Sequence, residues 1–314
     1  MKFLSSPQIL LVSTFLLFLS CTSNEELLDQ ENLNQNVKSA LSIREQVAQF
    51  YAPTFYQDVD ITDIFFCSNS SETGAADWIA PVNYDGDWIA HNNWENMVSK
   101  GRDRGTLKGT VYFNFSSTNT HWFVLYSVYH PRDWADSPWC ALDSHENDLE
   151  AILICAERLA NNGFGKVVYA GTVYHNERKT YRASDLLFEG NRVKTFIQAK
   201  GHGIRKYNGS SDEDGTHIVY RFNANDYEVQ QPSSKKQDLP QNMFYSLKDT
   251  KEELWSRRNL TTLFIGNSFN GDTYRNNAAH ARWAWGDIGT NPAKFVRDKF
   301  NLSSFNTNYD QKDF

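Results

Sequence analysis

"YHPRDWADSPWCALDSHENDLEAILI", residues 129–154, sets an acid-rich turn between two apolar runs. The run before it, "HWFVLYSV", and the run after it, "EAILICAE", suit strands, and period-two patterning recurs in "TVYFNFSS", "KVVYAGTVYH" and "KTFIQAKGHG". Turn-rich stretches such as "SSTNT" and "NNGFG" separate them. Short strands at this spacing, without helical repeats between them, predict an all-β chain, a β-sandwich, over an α/β sheet. A few peripheral helices are expected: "IREQVAQFY" ahead of Pro53, then "SLKDTKEELWSRRN" and "NPAKFVRDKFN". The last begins with Asn291 as N-cap and Pro292 at the first helical position. "QPSSKKQDLPQN" reads as a long loop.

Within the opening stretch, Pro131 is expected to end its strand, because it has no amide N–H to give to a ladder. Asp133 then falls on the departing loop and His145 in the turn before the next strand. Asp148 and Glu150 share one face of that strand, with Leu149 on the other. If the two strands are neighbours, all four side chains converge at one end of the sheet. Three carboxylates and an imidazole cannot be desolvated together without a counter-charge. One divalent cation supplies it, and an oxygen-dominated donor set suits Mg²⁺, Ca²⁺ or Mn²⁺ better than structural zinc. The alternative is a set of solvent-facing loop acids with Arg132 as ion-pair partner.

The start of the chain describes its route. Lys2 precedes an apolar run from Ile9 to Leu19, too short to span a bilayer, as in a signal peptide. Ser20-Cys21 resembles a bacterial lipobox, in which Cys21 is lipidated and anchors the protein to its own membrane. Glu25-Glu26 behind it resembles the export tether of bacterial surface lipoproteins. The rival is cleavage after "CTS", giving a free secreted protein. The organisation expected is therefore a lipoprotein-type signal peptide over 1–21, a flexible tether over 22–40, and a single β-sandwich domain over 41–314 with a C-terminal helical extension. The localisation expected is the bacterial outer membrane or cell surface. A net charge of −7 with no basic stripe argues against nucleic acid as a partner. Among the remaining cysteines, Cys67 and Cys140 lie in loop contexts and are the better bridge candidates, whereas Cys155 reads as a small buried hydrophobe.

The stretch "LYSVYHPRD…SHENDLEAILI" resembles the core of the necrosis-inducing protein family, the necrosis- and ethylene-inducing toxins of plant-associated microbes. In that family a strand ending Tyr-Ser-x-Tyr-x-Pro-Lys-Asp leads through a loop to Gly-His-Arg-His-Asp-Trp-Glu. Tyr126, Ser127, Tyr129, Pro131, Arg132 and Asp133 match the first half; His145, Asp148 and Glu150 match the second. The resemblance implies a divalent cation held by Asp133, His145, Asp148 and Glu150 on a β-sandwich similar to actinoporins and fungal lectins. It also implies a glycosylated sphingolipid head group as ligand. Ser144, Asn147 and Leu149 depart from the family's Gly, His and Trp. The inserted "WADSPWCALDS" lengthens the loop, so Asp136 or Asp143 could take the role of Asp133. Other blocks, such as "DGDWIAHNNWEN" and "WAWGDIG", resemble secreted bacterial proteins sharing a His-Glu-Asn-Asp-Leu-Glu core. The fold and the cation are the part implied; toxicity is left open.

A further histidine of the family faces the metal pocket, and the resemblance implies His202 for it. Its flanking glycines let the backbone come close to a ligand or another strand. His175 reads as a surface residue at a strand end. Period two puts His121 and His130 on opposite faces, so they cannot share a site. "SDEDG", 211–215, reads as a solvated turn. Nine Trp, many beside Asp, Asn, Gly or Arg, suit sugar platforms and sandwich cores alike. Two functional readings follow: a surface lipoprotein that binds a glycan or glycolipid head group through its cation, or a metal-dependent hydrolase of an ester or phosphodiester with Glu150 or His202 as base.

Overall fold

The computed structural model describes residues 41–58, 79–99, 108–133, 145–212, 217–225, 242–271 and 279–313. The chain divides into residues 1–42 and Ile43–Phe314, and the fold below is that of the second unit. Cys21, the signal peptide and the tether lie outside the described residues, as do Cys67, Cys140, Asp136, Asp143 and most of the 231–242 loop.

The strands expected from period two are present. β1 (Thr54–Asp58), β2 (Gly109–Thr118), β3 (His121–Asp133), β4 (His145–Leu159), β5 (Gly163–Tyr174) and β6 (Glu177–Arg182) are followed by β7 (Phe188–Glu189), β8 (Arg192–Ile197) and β9 (Ile204–Lys206). β10 (His217–Phe222) and β11 (Asn242–Asp249) complete one large sheet ordered β6-β5-β4-β3-β2-β11-β10-β1-β8-β7; β12 (Phe264–Ile265) and β13 (Ser268–Phe269) pair apart from it, and β9 lies on β8 and β14 (Tyr309–Lys312) on β2. The sheet folds over on itself. Val111, Val124, Tyr126, Ile152 and Ile154 of one limb share a core with Phe55, Val193, Ile197, Ile218 and Tyr220 of the other. Helix α1 (Ile43–Tyr51) joins this core through Val47, Ala48 and Tyr51, and the Tyr126 hydroxyl donates to the Ala48 carbonyl at 2.7 Å. This is the β-sandwich expected, with both limbs drawn from one continuous sheet.

A second core covers the outer face of the first limb. Phe123, Leu125, Tyr129, Leu149, Leu153 and Cys155 point into it, under Leu254, Leu263, Phe269, Trp285, Phe295 and Val296 of the C-terminal segment. β3 and β4 are therefore buried on both faces, and each fully buried large apolar side chain contributes about 1.5–3 kcal/mol. Cys155 carries a buried free thiol, as its setting predicted. Helix α2 (Asn93–Ser99) precedes β2, and after α3 (Thr250–Glu253) the short helices α4 (Asp287–Thr290) and α5 (Pro292–Lys299) contribute to this cover.

Three local expectations are corrected. Pro131 does not end β3, which runs on to Asp133, and His145 is the first residue of β4 rather than a turn residue. Residues 246–249 of the expected late helix are strand, because Met243 and Tyr245 alternate into the first core beside β2; only α3 (Thr250–Glu253) and a 3₁₀ turn, Trp255–Arg257, are helical. Asn291 stands before α5 without capping it by its side chain: its Oδ1 accepts the Tyr309 hydroxyl at 2.7 Å instead.

Candidate metal centre

Across the β3–β4 ladder Val128 faces Glu150, Tyr129 faces Leu149 and His130 faces Asp148; beyond them Arg132 faces Glu146 and Asp133 faces His145. Pro131 and Asn147, between these pairs, are not partners. Asn147 has a φ of 64°, a left-handed conformation that Asn tolerates better than most residues. Pro131 opposite it has no N–H to leave unsatisfied.

This paired irregularity decides the site. Strict alternation would send Asp133 and His145 to the side of Tyr129 and Leu149, away from Asp148 and Glu150. Instead Asn147 and Glu146 both turn to the second-core side. Asn147 Nδ2 donates to the Ala90 carbonyl (2.8 Å), and its Oδ1 accepts from Asn93 Nδ2 (2.6 Å) and the Tyr129 hydroxyl (2.8 Å). Glu146 accepts from the Trp94 backbone N–H, while Arg132 Nε donates to the Trp94 carbonyl at 2.9 Å and its guanidinium lies 4.5 Å from the Trp94 ring centroid. With Asn147 turned to the same side as Glu146, Asp133 and His145 return to the face of His130 and Asp148 without any shift of register. Arg132, expected beside the acids, is thereby directed away from them.

On the site face, His145 Nε2 lies 3.3 Å from Asp133 Oδ2, and His145 Nδ1 lies 3.1 Å from the Glu146 carbonyl. His202 Nδ1 lies 3.0 Å from Asp148 Oδ2. The imidazoles of His130 and His202 stack with centroids 3.7 Å apart and planes within 6°. One ligand atom each from His130, Asp148 and His202 lies within 4.8 Å of the others. Glu150 Oε1 accepts the His175 backbone N–H at 2.9 Å. His175, read from sequence as a surface residue, thus fixes Glu150 from a left-handed turn between β5 and β6 (φ 52°). His130, His145, His202, Asp148 and Glu150 are all buried.

The His202 turn depends on its glycines. Lys200 and His202 are both left-handed, with φ of 66° and 50°. A Cβ on Gly201 would lie 2.7 Å from His175 Cε1, and one on Gly203 would lie 2.9 Å from Tyr174 Cδ2. The glycines serve the close approach of a neighbouring strand end, one of the two uses the sequence left open.

The charges are mutually unfavourable as they stand. Burial, reinforced by Asp148, holds the Glu150 carboxyl well above the usual carboxylate range. Burial also raises Asp133 against the opposing pull of its hydrogen bond to His145. For His145 burial opposes charging, yet the hydrogen bond and charge of Asp133 carry its pKa above the ordinary value. Both ring nitrogens of His145 face acceptors, which suits an imidazolium. His130 is held well below its ordinary value by burial and by His202 beside it, so it is neutral at pH 7.

The donor set fits a divalent cation. Glu150 Oε2 and His130 Nδ1 are buried without a hydrogen-bond partner. Such atoms are costly unless something satisfies them. Donors sharing one ion at about 2.0–2.2 Å lie roughly 3 Å apart, close to the spacing of the Asp148–His202 and Asp133–His145 pairs. Among the described residues His130, Asp148 and His202 form the group whose ligand atoms lie within 4.8 Å of one another, while Asp133, paired with His145, and Glu150 are coupled electrostatically to Asp148. His130 was missed in the sequence. The usable signal was parity: an even-numbered residue facing Asp148 in a hairpin whose paired numbers sum to a constant from Val128–Glu150 onward. His121 does lie apart from His130, as expected. The "SDEDG" reading is corrected at Asp212, whose side chain is only 4% exposed and is held by both terminal nitrogens of Arg205 at 2.8 and 2.9 Å.

Comparison with known proteins agrees with the motif. No curated protein sequence matches the chain. Solved structures similar to it include NLPPya in complex with mannosamine, at 14% identity over 74% of this chain and 83% of that one, with a TM-score of 0.38. A protein described as a toxin fold for microbial attack and plant defense shares 13% identity over 84% of this chain and 92% of that one, with a TM-score of 0.39. Necrosis and Ethylene inducing Protein 2, from the causal agent of cocoa's Witches Broom disease, shares 11% over 77% and 87%, with a TM-score of 0.36. The family model described as Necrosis inducing protein (NPP1) matches residues 78–253, more than half of the 314, and the chain belongs to that family.

Proposed function

We propose that the protein is an exported lipoprotein, anchored through Cys21, whose β-sandwich holds one divalent cation and binds a glycan or glycolipid head group at that ion. The observation that carries this reading is the contact of Asp148 with His202 at 3.0 Å, with Asp133 and Glu150 coupled electrostatically to Asp148 and His145 paired with Asp133. A bound cation supplies the positive charge that lets these carboxylates be buried together and offers open positions to hydroxyl or anionic oxygens of a head group. Asp148 and Glu150 would hold the ion from β4, with Glu150 oriented by the His175 N–H and Asp148 by His202. Asp133 is the most accessible of these three acids and one imidazole, with 14% of its side chain exposed against 8% for His145 and 6% for Asp148 and Glu150.

The test is retention of the purified domain on vesicles carrying glycosylated sphingolipids, with and without chelator. Retention that needs a divalent cation and is lost in Asp148→Ala supports the reading. Equal retention with chelator overturns it. Turnover of an ester or phosphodiester panel that Asp148→Ala abolishes would favour the hydrolase instead.

A further inference from the structure

We infer that His130 is a ligand of the ion, which makes this a mixed imidazole–carboxylate centre selecting a divalent transition ion (Mn²⁺, Fe²⁺, Co²⁺, Ni²⁺ or Zn²⁺) over Mg²⁺ and Ca²⁺. The inference rests on the cation reading above and narrows it.

His130 lies on β3 directly across the ladder from Asp148, on the face that the irregularity at Pro131 and Asn147 leaves unchanged. Its Nε2 is 3.3 Å from Gln57 Oε1 on β1. With Nε2 donating to that oxygen, Nδ1 carries the lone pair, and this buried atom has no hydrogen-bond partner. A histidine kept only for packing would leave no such atom: an apolar side chain of similar size fills the space at lower cost. His202 lies parallel to it at 3.7 Å, and donor atoms of His130, His202 and Asp148 fall within 4.8 Å of one another. Two imidazoles stacked face to face beside one carboxylate form a donor set that Mg²⁺ and Ca²⁺, which prefer oxygen, use poorly. Imidazole suits the later first-row ions. Of the three ions the acid-rich motif alone allowed, only Mn²⁺ remains. The motif resemblance assigns nothing to His130, whose place in the family pattern is unspecified.

Titration calorimetry of the metal-free protein with Co²⁺, Zn²⁺, Mn²⁺, Mg²⁺ and Ca²⁺ tests this, with His130→Phe, which keeps a ring against His202 but no donor, and His130→Leu. The wild type should bind Co²⁺ and Zn²⁺ at least about 100-fold more tightly than Mg²⁺ or Ca²⁺. His130→Phe should weaken Co²⁺ at least about tenfold and leave Mg²⁺ within about threefold, with a shift in the Co²⁺ visible bands. The bands report ligand identity and would not move for a purely structural role. Equal weakening of every ion, or unchanged Co²⁺ bands in both variants, overturns the inference and leaves the cation reading standing. A wild type that binds no ion overturns both.

Discussion

Asn147→Ala removes the residue that turns Asp133 and His145 onto the site face, and its cost can be worked from the contacts. Alanine in the left-handed region costs roughly 1–2 kcal/mol. The Ala90 carbonyl loses its donor and the Tyr129 hydroxyl loses its acceptor in a fully buried setting. Two such groups cost about 2–6 kcal/mol together. The sum, roughly 3–8 kcal/mol, is a large part of a typical domain's stability. Asn147→Gly loses the same hydrogen bonds but keeps the conformation, so it should be about 1–2 kcal/mol more stable than Asn147→Ala. Urea unfolding in chelator measures both differences. The hydrogen-bonded His145 Nε2–H proton should be visible by NMR in wild type and in Asn147→Gly, and lost in Asn147→Ala. Equal unfolding midpoints for the two variants, with the His145 proton retained in both, would refute the role given to the left-handed residue.

Glu150→Gln should leave the chelated protein as stable as wild type or more so, because burial and Asp148 oppose ionisation of that carboxyl and the amide has no charge to bury; it should also abolish stabilisation by added cation, as thermal melts would read. For the chelated wild type, both shifts act in one direction. Glu150 and His145 have folded pKa values raised above their unfolded ones, so their contribution is present at low pH and is lost as pH rises above the ordinary Glu range and then the ordinary His range. Stability rising across that window in chelator would contradict the assignment. Gly203→Ala should destabilise by about 1–3 kcal/mol through the clash with the Tyr174 ring and weaken cation binding through His202, measured by melting and calorimetry. At the Arg205–Asp212 pair, burial opposes ionisation of Asp212, but the hydrogen bonds from Arg205 and the Asn208 N–H lower its pKa. Its contribution is therefore present above the ordinary Asp range and lost as pH falls, and Asp212→Asn should flatten the acid limb of the stability profile.

The strands of the first limb were legible because each carries apolar residues at period two, and β3 and β4 are buried on both faces. The acids were legible for a different reason: their charge sits beside apolar runs and asks for a partner. What alternation could not supply was the fate of Asp133 and His145, since one left-handed residue reverses every side chain beyond it. Asn147 stood in the sequence only as a departure from the family motif, and it is a backbone device held from behind by Asn93 and Tyr129. Pro131 looked like a strand end because proline usually is one; here it sits where the ladder is already interrupted. His130 was hidden by the same misreading, being taken as the last residue of a strand rather than a partner of Asp148. The mixed direction of the sheet, with β11 parallel to both β2 and β10, comes from long-range pairing and leaves no local trace.

The central claim is that the buried histidines and acids at the end of β3 and β4 enclose a metal ion. Elemental analysis of the purified domain, joined to a thermal melt before and after chelation, addresses it most directly. One equivalent of a divalent metal per chain is expected. At a hundred times its dissociation constant an ion stabilises by about 2.7 kcal/mol, so chelation should lower Tm by roughly 5–10 °C. A metal-free protein whose Tm is unmoved by Mg²⁺, Ca²⁺, Mn²⁺ or Zn²⁺ would contradict it.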